Sequence, residues 1–292
     1  MLIHLNGQLL PRSEARLDPF DRGFIFGEGV YEGLRSIPWN NSTRIVGLHQ
    51  HIRRMRRGLE AAGIPFDLST LGQRSADLCA ANNLRDAFVY WQVTGGAPGE
   101  GDPVRSRARG KNTTPTIFGY CAPQPPLTDQ TTPPVKRAVT LRDIRWEMGW
   151  LKSTSLMGNV ISAHRADEKH CDEAIFTRDG LITEGLATNI VLAIGDELVT
   201  PALDSAPMLA GITREILLRV EPRLRERPIR VEELEHATEI MFLGTITTVA
   251  SAIELNGKPI GDGAPGPQAR ALLKALIAAI QAGKDIDEPR TK

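Results

Sequence analysis

Only three cysteines, Cys79, Cys121 and Cys171, occur in 292 residues; they lie far apart and none belongs to a Cys-x-x-Cys. An odd, scattered set excludes a disulfide framework and a cysteine zinc site, so a reducing cytoplasm is the expected setting. No stretch approaches the ~18 apolar residues of a membrane-spanning helix. The start, Met1-Leu2-Ile3-His4-Leu5-Asn6-Gly7, breaks into a turn before the apolar core of an export signal can form. Neither membrane insertion nor export is expected. Net charge is lacking too, because 35 Lys+Arg offset 35 Asp+Glu, and this leaves no global field to gather nucleic acid or anionic lipid. What is present is a hydrophobic fraction of 41%, enough for a chain of this length to bury a large core without staples.

Ile3–Leu5 and Gln8–Leu10 flank Asn6-Gly7, the dipeptide of a type I′ hairpin turn. A strand is expected at Val30–Ile37. In Gly47–Ala62, Leu48, Ile52, Met55 and Leu59 recur at near-helical spacing until Gly63-Ile64-Pro65 stops the pattern. A second helix at Thr70–Ala81 leads to a strand at Phe88–Val93, after which Gly95–Gly101 is too glycine-rich for regular structure and reads as a mobile loop. Five prolines in Ala122–Pro134 remove backbone donors and mark a linker between domains 1–121 and 135–292. Beyond it the sequence predicts a helix at Ser155–Glu168 and short strands at Glu173–Phe176, Leu181–Thr183, Asn189–Ala193 and Glu197–Thr200. A helix from Ile212, strands near Glu239–Leu243 and Val249–Leu255, and a closing helix at Pro267–Gln281 follow. Short strands with interspersed helices indicate two α+β domains, a smaller N-terminal and a larger C-terminal one, rather than a regular βαβ array.

Several devices fail on their own terms. No Gly-Lys-Ser/Thr closes the Gly95–Gly101 run as a phosphate loop requires. His49 and His51 stand two apart, about 200° around a helix, and cannot chelate one metal. Arg53-Arg54-Met55-Arg56-Arg57 and Arg105–Lys111 would suit a basic RNA-binding or scaffold protein, but no aromatic residues interleave them and the rest of the chain neutralises them.

Five separated motifs carry more. They are Asp21-Arg22-Gly23-Phe24-Ile25-Phe26-Gly27-Glu28-Gly29-Val30-Tyr31-Glu32-Gly33, Lys152-Ser153-Thr154-Ser155-Leu156-Met157-Gly158-Asn159, Thr183-Glu184-Gly185-Leu186-Ala187-Thr188-Asn189, Leu209-Ala210-Gly211-Ile212-Thr213-Arg214 and Gly244-Thr245. In kind and order, with Asp172-Glu173-Ala174-Ile175 between them, they resemble the class IV pyridoxal-phosphate aminotransferases. The resemblance spans about residues 3–280 and implies the two-domain fold type IV architecture, with pyridoxal 5′-phosphate between the domains of a homodimer.

By its residue type alone Lys152 is an ordinary lysine, although Trp146, Met148, Trp150 and Leu151 provide a flank that would desolvate its amine. The resemblance implies that Lys152 carries the cofactor as a Schiff base and moves the α-proton. It implies that Glu184 pairs with the pyridine nitrogen, and that Leu209 packs on the ring. The phosphate falls to Ile212 and Thr213 at a helix start, to Thr245, and to an arginine in His51-Ile52-Arg53-Arg54, read as Arg54 with Arg53 as the alternative register.

The substrate signs divide. Val89–Gly96 and Ile144–Asn159 are similar to D-amino-acid transaminases, yet Gly95 stands where that group usually has an arginine. Val30–Arg35 is similar to the branched-chain group, which carries an arginine at the position of Arg35. A substrate carboxylate therefore falls to Arg35, to backbone N–H groups near Thr245, or to an arginine of the Gly96–Lys111 loop (Arg105, Arg107 or Arg109), with Tyr31 and Tyr90 beside it. The implied reaction moves an amino group from a D-amino acid such as D-alanine, or a branched-chain L-amino acid, to a 2-oxo acid such as 2-oxoglutarate. An (R)-selective amine transaminase and aminodeoxychorismate lyase are alternatives on the same fold. No metal, nucleic-acid or membrane partner is implied.

Overall fold

The computed structural model describes residues 1–40 and 42–285. The chain forms two compact units, which do not follow sequence order: Met1–Leu127 joins Leu151–Leu156 in the first, and Thr128–Trp150 joins Met157–Asp285 in the second. The segment bearing Lys152 thus belongs with the N-terminal residues, where division by sequence order assigns it to the C-terminal domain.

In chain order the first unit contains β1 (Leu2–Leu5), β2 (Gln8–Pro11), α1 (Arg22–Phe26), β3 (Gly29–Trp39), β4 (Ser42–Ile45), α2 (Leu48–Ala61), α3 (Leu71–Ala81), β5 (Ala87–Ala97) and β6 (Thr114–Pro123). Asn6 and Gly7 take positive φ (49° and 89°), as the expected hairpin turn demands. The antiparallel sheet has the order β2-β1-β6-β5-β3-β4. One face turns Leu34, Val89, Trp91, Val93 and Cys121 into a core with Met55, Leu59 and Leu78 of α2 and α3. Trp91 is wholly buried, donates Nε1–H to Ser75 Oγ (2.8 Å), and lies over Gly119, where a Cβ would come within 2.5 Å of its ring.

The sequence reading missed β6 and cut β5 short. Gly95 and Gly96 are strand residues, and β6 runs into the first two residues of the proline-rich stretch, which further on holds a 3-10 turn at Leu127–Asp129. The segment after β5 is pinned rather than loose. Asp102 Oδ2 accepts from Asn112 N–H (3.0 Å) and Thr113 Oγ1 (3.1 Å), while Arg22 donates to the carbonyls of Ser106 and Arg107 (both 2.6 Å).

The second unit runs β7 (Val135–Arg142), α4 (Met157–Asp167), β8 (Glu173–Arg178), β9 (Leu181–Gly185), β10 (Asn189–Ile194), β11 (Glu197–Pro201), α5 (Ile212–Val220), β12 (Leu224–Arg227), β13 (Ala237–Gly244), β14 (Thr248–Leu255), β15 (Lys258–Pro259) and α6 (Pro267–Gln281). Its sheet is mixed, in the order β12-β11-β10-β13-β14-β7-β8-β9 with β15 on β14; β7 pairs in parallel with β8 and β14. Ile175, Ile182, Ile190, Leu192, Ile240 and Phe242 are fully buried in it, so its strands read as apolar runs rather than alternations.

Candidate active site

In the first unit Lys152 is held by its backbone. Its carbonyl accepts from Tyr31 N–H (3.0 Å), Thr154 N–H donates to Gly29 O (2.9 Å), and Val30 and Ser153 form a bridge, so residues 151–156 extend along the start of β3. This backbone pairing sets the amine at Tyr31: Nζ lies 3.5 Å from the phenolic oxygen and 4.4 Å from the ring centroid. Trp146, expected in the flank, is 46% exposed.

Alternation on β3 sends Glu32 to the face opposite Tyr31, under α2. There the wholly buried carboxylate accepts from Arg54 through both oxygens (Nε to Oε1 2.8 Å, Nη2 to Oε2 2.7 Å) and meets His51 Nδ1 (2.7 Å). Burial works against the charge of Glu32, but Arg54 and His51 outweigh it and hold the pKa down to about 2. Burial pushes His51 below its usual range, opposed by Glu32, so the neutral ring donates Nδ1–H. Of the two arginine registers, Arg54 turns inward and Arg53 is exposed.

A stability consequence follows. With a folded pKa near 2 against 4.5 for the free side chain, Glu32 contributes about 3 kcal/mol above pH 4.5, lost as the pH falls towards 2. Urea titrations of Glu32→Gln and wild type are expected to differ by about 3 kcal/mol at pH 7 and to converge in acid. A constant difference down to pH 2.5 would contradict this.

In the second unit Glu184, at the end of β9, is 4% exposed. One oxygen accepts from Arg145 Nη1; the other accepts from Leu209 N–H (3.0 Å) and Asn189 Nδ2 (3.3 Å). Arg145 is itself fixed by Asp143 (Nε to Oδ1 3.0 Å, Nη2 to Oδ2 2.8 Å) and lies 4.6 Å over the Phe176 ring. Burial disfavours its charge, yet Asp143 and Glu184 outweigh this and raise the guanidinium pKa. Glu173 braces the turn beyond Glu184 by accepting from Leu186 N–H (2.7 Å) and Thr188 Oγ1 (3.1 Å).

Asn189 gathers the remaining second-unit residues. Its Nδ2 also donates to Leu209 O (2.9 Å), its side chain occupies the space a Cβ on Gly211 would take, and its backbone pairs with Leu243, one residue before Gly244. Leu209, the α5 start at Ile212-Thr213 and the Gly244-Thr245 turn thereby meet at one end of the sheet. Gly211 caps α5 without a side-chain bond, leaving the first helical N–H groups to an anion. Asn189, Arg145 and Asp143 were given no role from sequence; Asn189 follows Thr188 inside a quoted motif, and nothing local marks Arg145.

Two of the expected carboxylate ligands, Arg35 and Arg109, are engaged by groups of the first unit itself. Arg35 shares a face with Tyr31, but four residues of strand put it about 13 Å along β3, and its guanidinium is taken by Pro125 O and, at 3.6 Å, by Asp86. At Gly95 a Cβ would come 2.6 Å from Glu28 Oε1, so the Glu28 carboxylate fills that position. Glu28 pairs with Arg22 and Arg109, and Arg109 also donates to the carbonyls of Ala62 and Gly63 at the end of α2. Arg109 is thus a structural clasp; Arg105 and Arg107 are exposed. Arg35→Ala is expected to lower stability by about 1–2 kcal/mol and to change amino-acid kcat/KM less than about threefold. A selective rise in KM would return it to the site.

Lys152 in the first unit, and the anchored carboxylate of Glu184 and the start of α5 in the second, are groups of the kinds that an aldehyde cofactor with a ring nitrogen and a phosphate uses. The family model for amino-transferase class IV matches residues 29–255, and the chain belongs to that family. It is 34% identical over 287 residues to a D-alanine aminotransferase of Bacillus licheniformis, covering 96% of this chain and 97% of that one. A branched-chain aminotransferase of Thermoproteus uzoniensis has the same fold (TM-score 0.83, 23% identity, 97% and 95% covered). So does a hypothetical aminotransferase of Mycobacterium tuberculosis in its PLP-bound form (TM-score 0.79, 21% identity, 97% and 100% covered). The protein is a pyridoxal-phosphate-dependent aminotransferase of fold type IV.

Proposed function

We propose that Lys152 binds the cofactor and moves the proton of the substrate α-carbon, and that the substrates are a D-amino acid or a branched-chain L-amino acid and a 2-oxo acid. The carrying observation is the Lys152 amine, set by backbone pairing against Tyr31. When bound, the cofactor supplies an electron sink for the electrons left by the α-proton. Glu184, fixed by Arg145, Asn189 and Leu209 N–H, keeps the ring nitrogen protonated. Leu209 packs on the ring, and Ile212, Thr213, Thr245 and Arg54 hold the phosphate; Glu32 and His51 orient Arg54. Tyr31 Oη is within reach of the Lys152 amine and steers it. Tyr90, stacked on Tyr31, lines the substrate's path.

The D-amino-acid reading leans on the Bacillus relative. Borohydride reduction of the holoenzyme followed by peptide mass mapping is expected to leave the cofactor on Lys152. Half-reactions with D-alanine, L-leucine, L-glutamate and (R)-1-phenylethylamine then separate the substrate branches; a label on another lysine overturns the assignment.

The proline-rich stretch 122–134 is proposed as the connection between the units. A cytoplasmic location is supported by the three free cysteines, two of them buried. No helix among the described residues is long and apolar enough to cross a membrane. A homodimer is supported by Leu17, Phe20 and Phe24, exposed by 60, 48 and 81% in one short stretch; light scattering on the eluting protein tests it.

A further inference from the structure

The first turn of α5 is tied to the sheet by a buried arginine. Arg214, the third residue of the helix, is 3% exposed. Its Nε donates to Thr200 Oγ1 (3.2 Å) and its Nη2 to Pro201 O (2.8 Å), at the end of β11, while Nη2 also meets the Glu226 carboxylate of β12. The two strands are joined at that level, since Thr200 pairs with Glu226 in their parallel ladder. Thr200 Oγ1 in turn donates to Ile190 O (2.7 Å) on β10, next to the Asn189 whose side chain closes on Gly211. The start of α5 is therefore held at two points, Gly211 and Arg214.

Packing alone does not ask for this. Ile212, Ile216 and Leu217 already bury the inner face of α5, and an apolar side chain at 214 would join them without taking a charge out of water. A planar guanidinium bonded to acceptors on two strands fixes direction as well as distance. What it fixes is the open end of the helix. Glu215 N–H makes the bond that starts the helix, to Gly211 O (2.9 Å), so the N–H groups of Ile212, Thr213 and Arg214 precede the intrahelical ladder. With Nε and Nη2 taken by the strands, the Arg214 side chain acts on this turn and not on an anion.

We propose that Arg214 is a positioning residue for the phosphate of the cofactor: by tying the first turn of α5 to β11 and β12 it keeps the Ile212 and Thr213 N–H groups and the Thr213 hydroxyl converged on a dianion. The inference rests on the assignment of the phosphate to this turn. Donors aimed before the ligand arrives lose little order on binding it, and a charged acceptor gains more from alignment than a neutral one. With the tie cut, the buried Ile216 and Leu217 keep the helix in place while its first turn frays, as helix ends do.

The test uses the full-length protein freed of cofactor and titrated with pyridoxal 5′-phosphate and with pyridoxal. The two compounds share the aldehyde and the ring and differ in the phosphate alone. Arg214→Met is expected to weaken pyridoxal 5′-phosphate about tenfold, as much as one contact to a charged group contributes, and to change the Kd of pyridoxal less than about twofold. Arg214→Lys, which keeps the charge but lacks the fork, is expected to fall between wild type and Arg214→Met. Equal weakening of both compounds, or of neither, with wild-type circular dichroism overturns the proposal. If Arg214→Met does not fold, Glu226→Gln decides, because that side chain is 44% exposed at the edge of the cluster. It is expected to lower the preference for the phosphorylated compound about threefold, and an unchanged preference overturns the proposal. Thr213→Val keeps the two readings apart. If it leaves the preference intact, the phosphate does not sit on α5 and the assignment beneath fails; if it lowers the preference and Arg214→Met does not, the positioning role alone fails.

Discussion

Lys152→Ala is expected to purify folded, to retain no cofactor after borohydride treatment, and to lose transamination by about four orders of magnitude. Folding should survive, because what Lys152 gives the first unit is its backbone carbonyl to Tyr31 N–H, which alanine also provides. Chemistry should not. Among the described residues the other lysine of the first unit is Lys111, exposed on the segment after β5, and no second amine stands at Tyr31. Arginine is no substitute, since its guanidinium stays protonated and forms no imine. Single-turnover measurements check this, and near-normal turnover would remove Lys152 from its role.

For Glu184→Gln the expected result is retained cofactor with α-proton removal slowed about 100- to 1,000-fold. The amide keeps the size of the carboxylate and can still accept from Leu209 N–H. It loses the charge that Arg145 is held in place to meet, and its NH2 group must face either Arg145 or the Asn189 amide, both of which donate. Asp143 remains as a partner for Arg145, so the loss should be catalytic more than structural. Rapid mixing at saturating substrate reads the step directly. An unchanged rate would put Glu184 outside the site.

The residues that sequence made legible are those whose chemistry is local. Asn6-Gly7 specifies its own turn, the Leu48–Leu59 spacing its own helix, and Lys152 and Glu184 lie in motifs that resemble a family's. What escaped depends on partners far along the chain. Nothing in Thr114–Pro123, with a proline near each end, alternates clearly enough to announce a ten-residue strand; it is a strand because β1 and β5 pair with it on either side. Arg145 is one arginine among many until folding brings it to Glu184, thirty-nine residues on. Arg35 looked like a carboxylate ligand because residue type suggests charge and not its creditor; Asp86 and Pro125 O are visible only in three dimensions. Gly95 likewise marks an absence whose filler, Glu28, sits on another element.

The lysine-bearing segment also constrains how the chain can be made. A nascent polypeptide that has emerged as far as Leu127 holds β1 to β6 complete, yet the start of β3 still lacks the partner that residues 151–156 supply. At about 5–20 residues per second, a ribosome needs seconds more to deliver it. During that interval the Tyr31 N–H and the Gly29 carbonyl face solvent as an unfinished edge. A gene fragment ended at the proline-rich stretch would make that condition permanent, whereas a circular permutant opened at the Asn6-Gly7 turn would keep Tyr31 and Lys152 on one continuous chain.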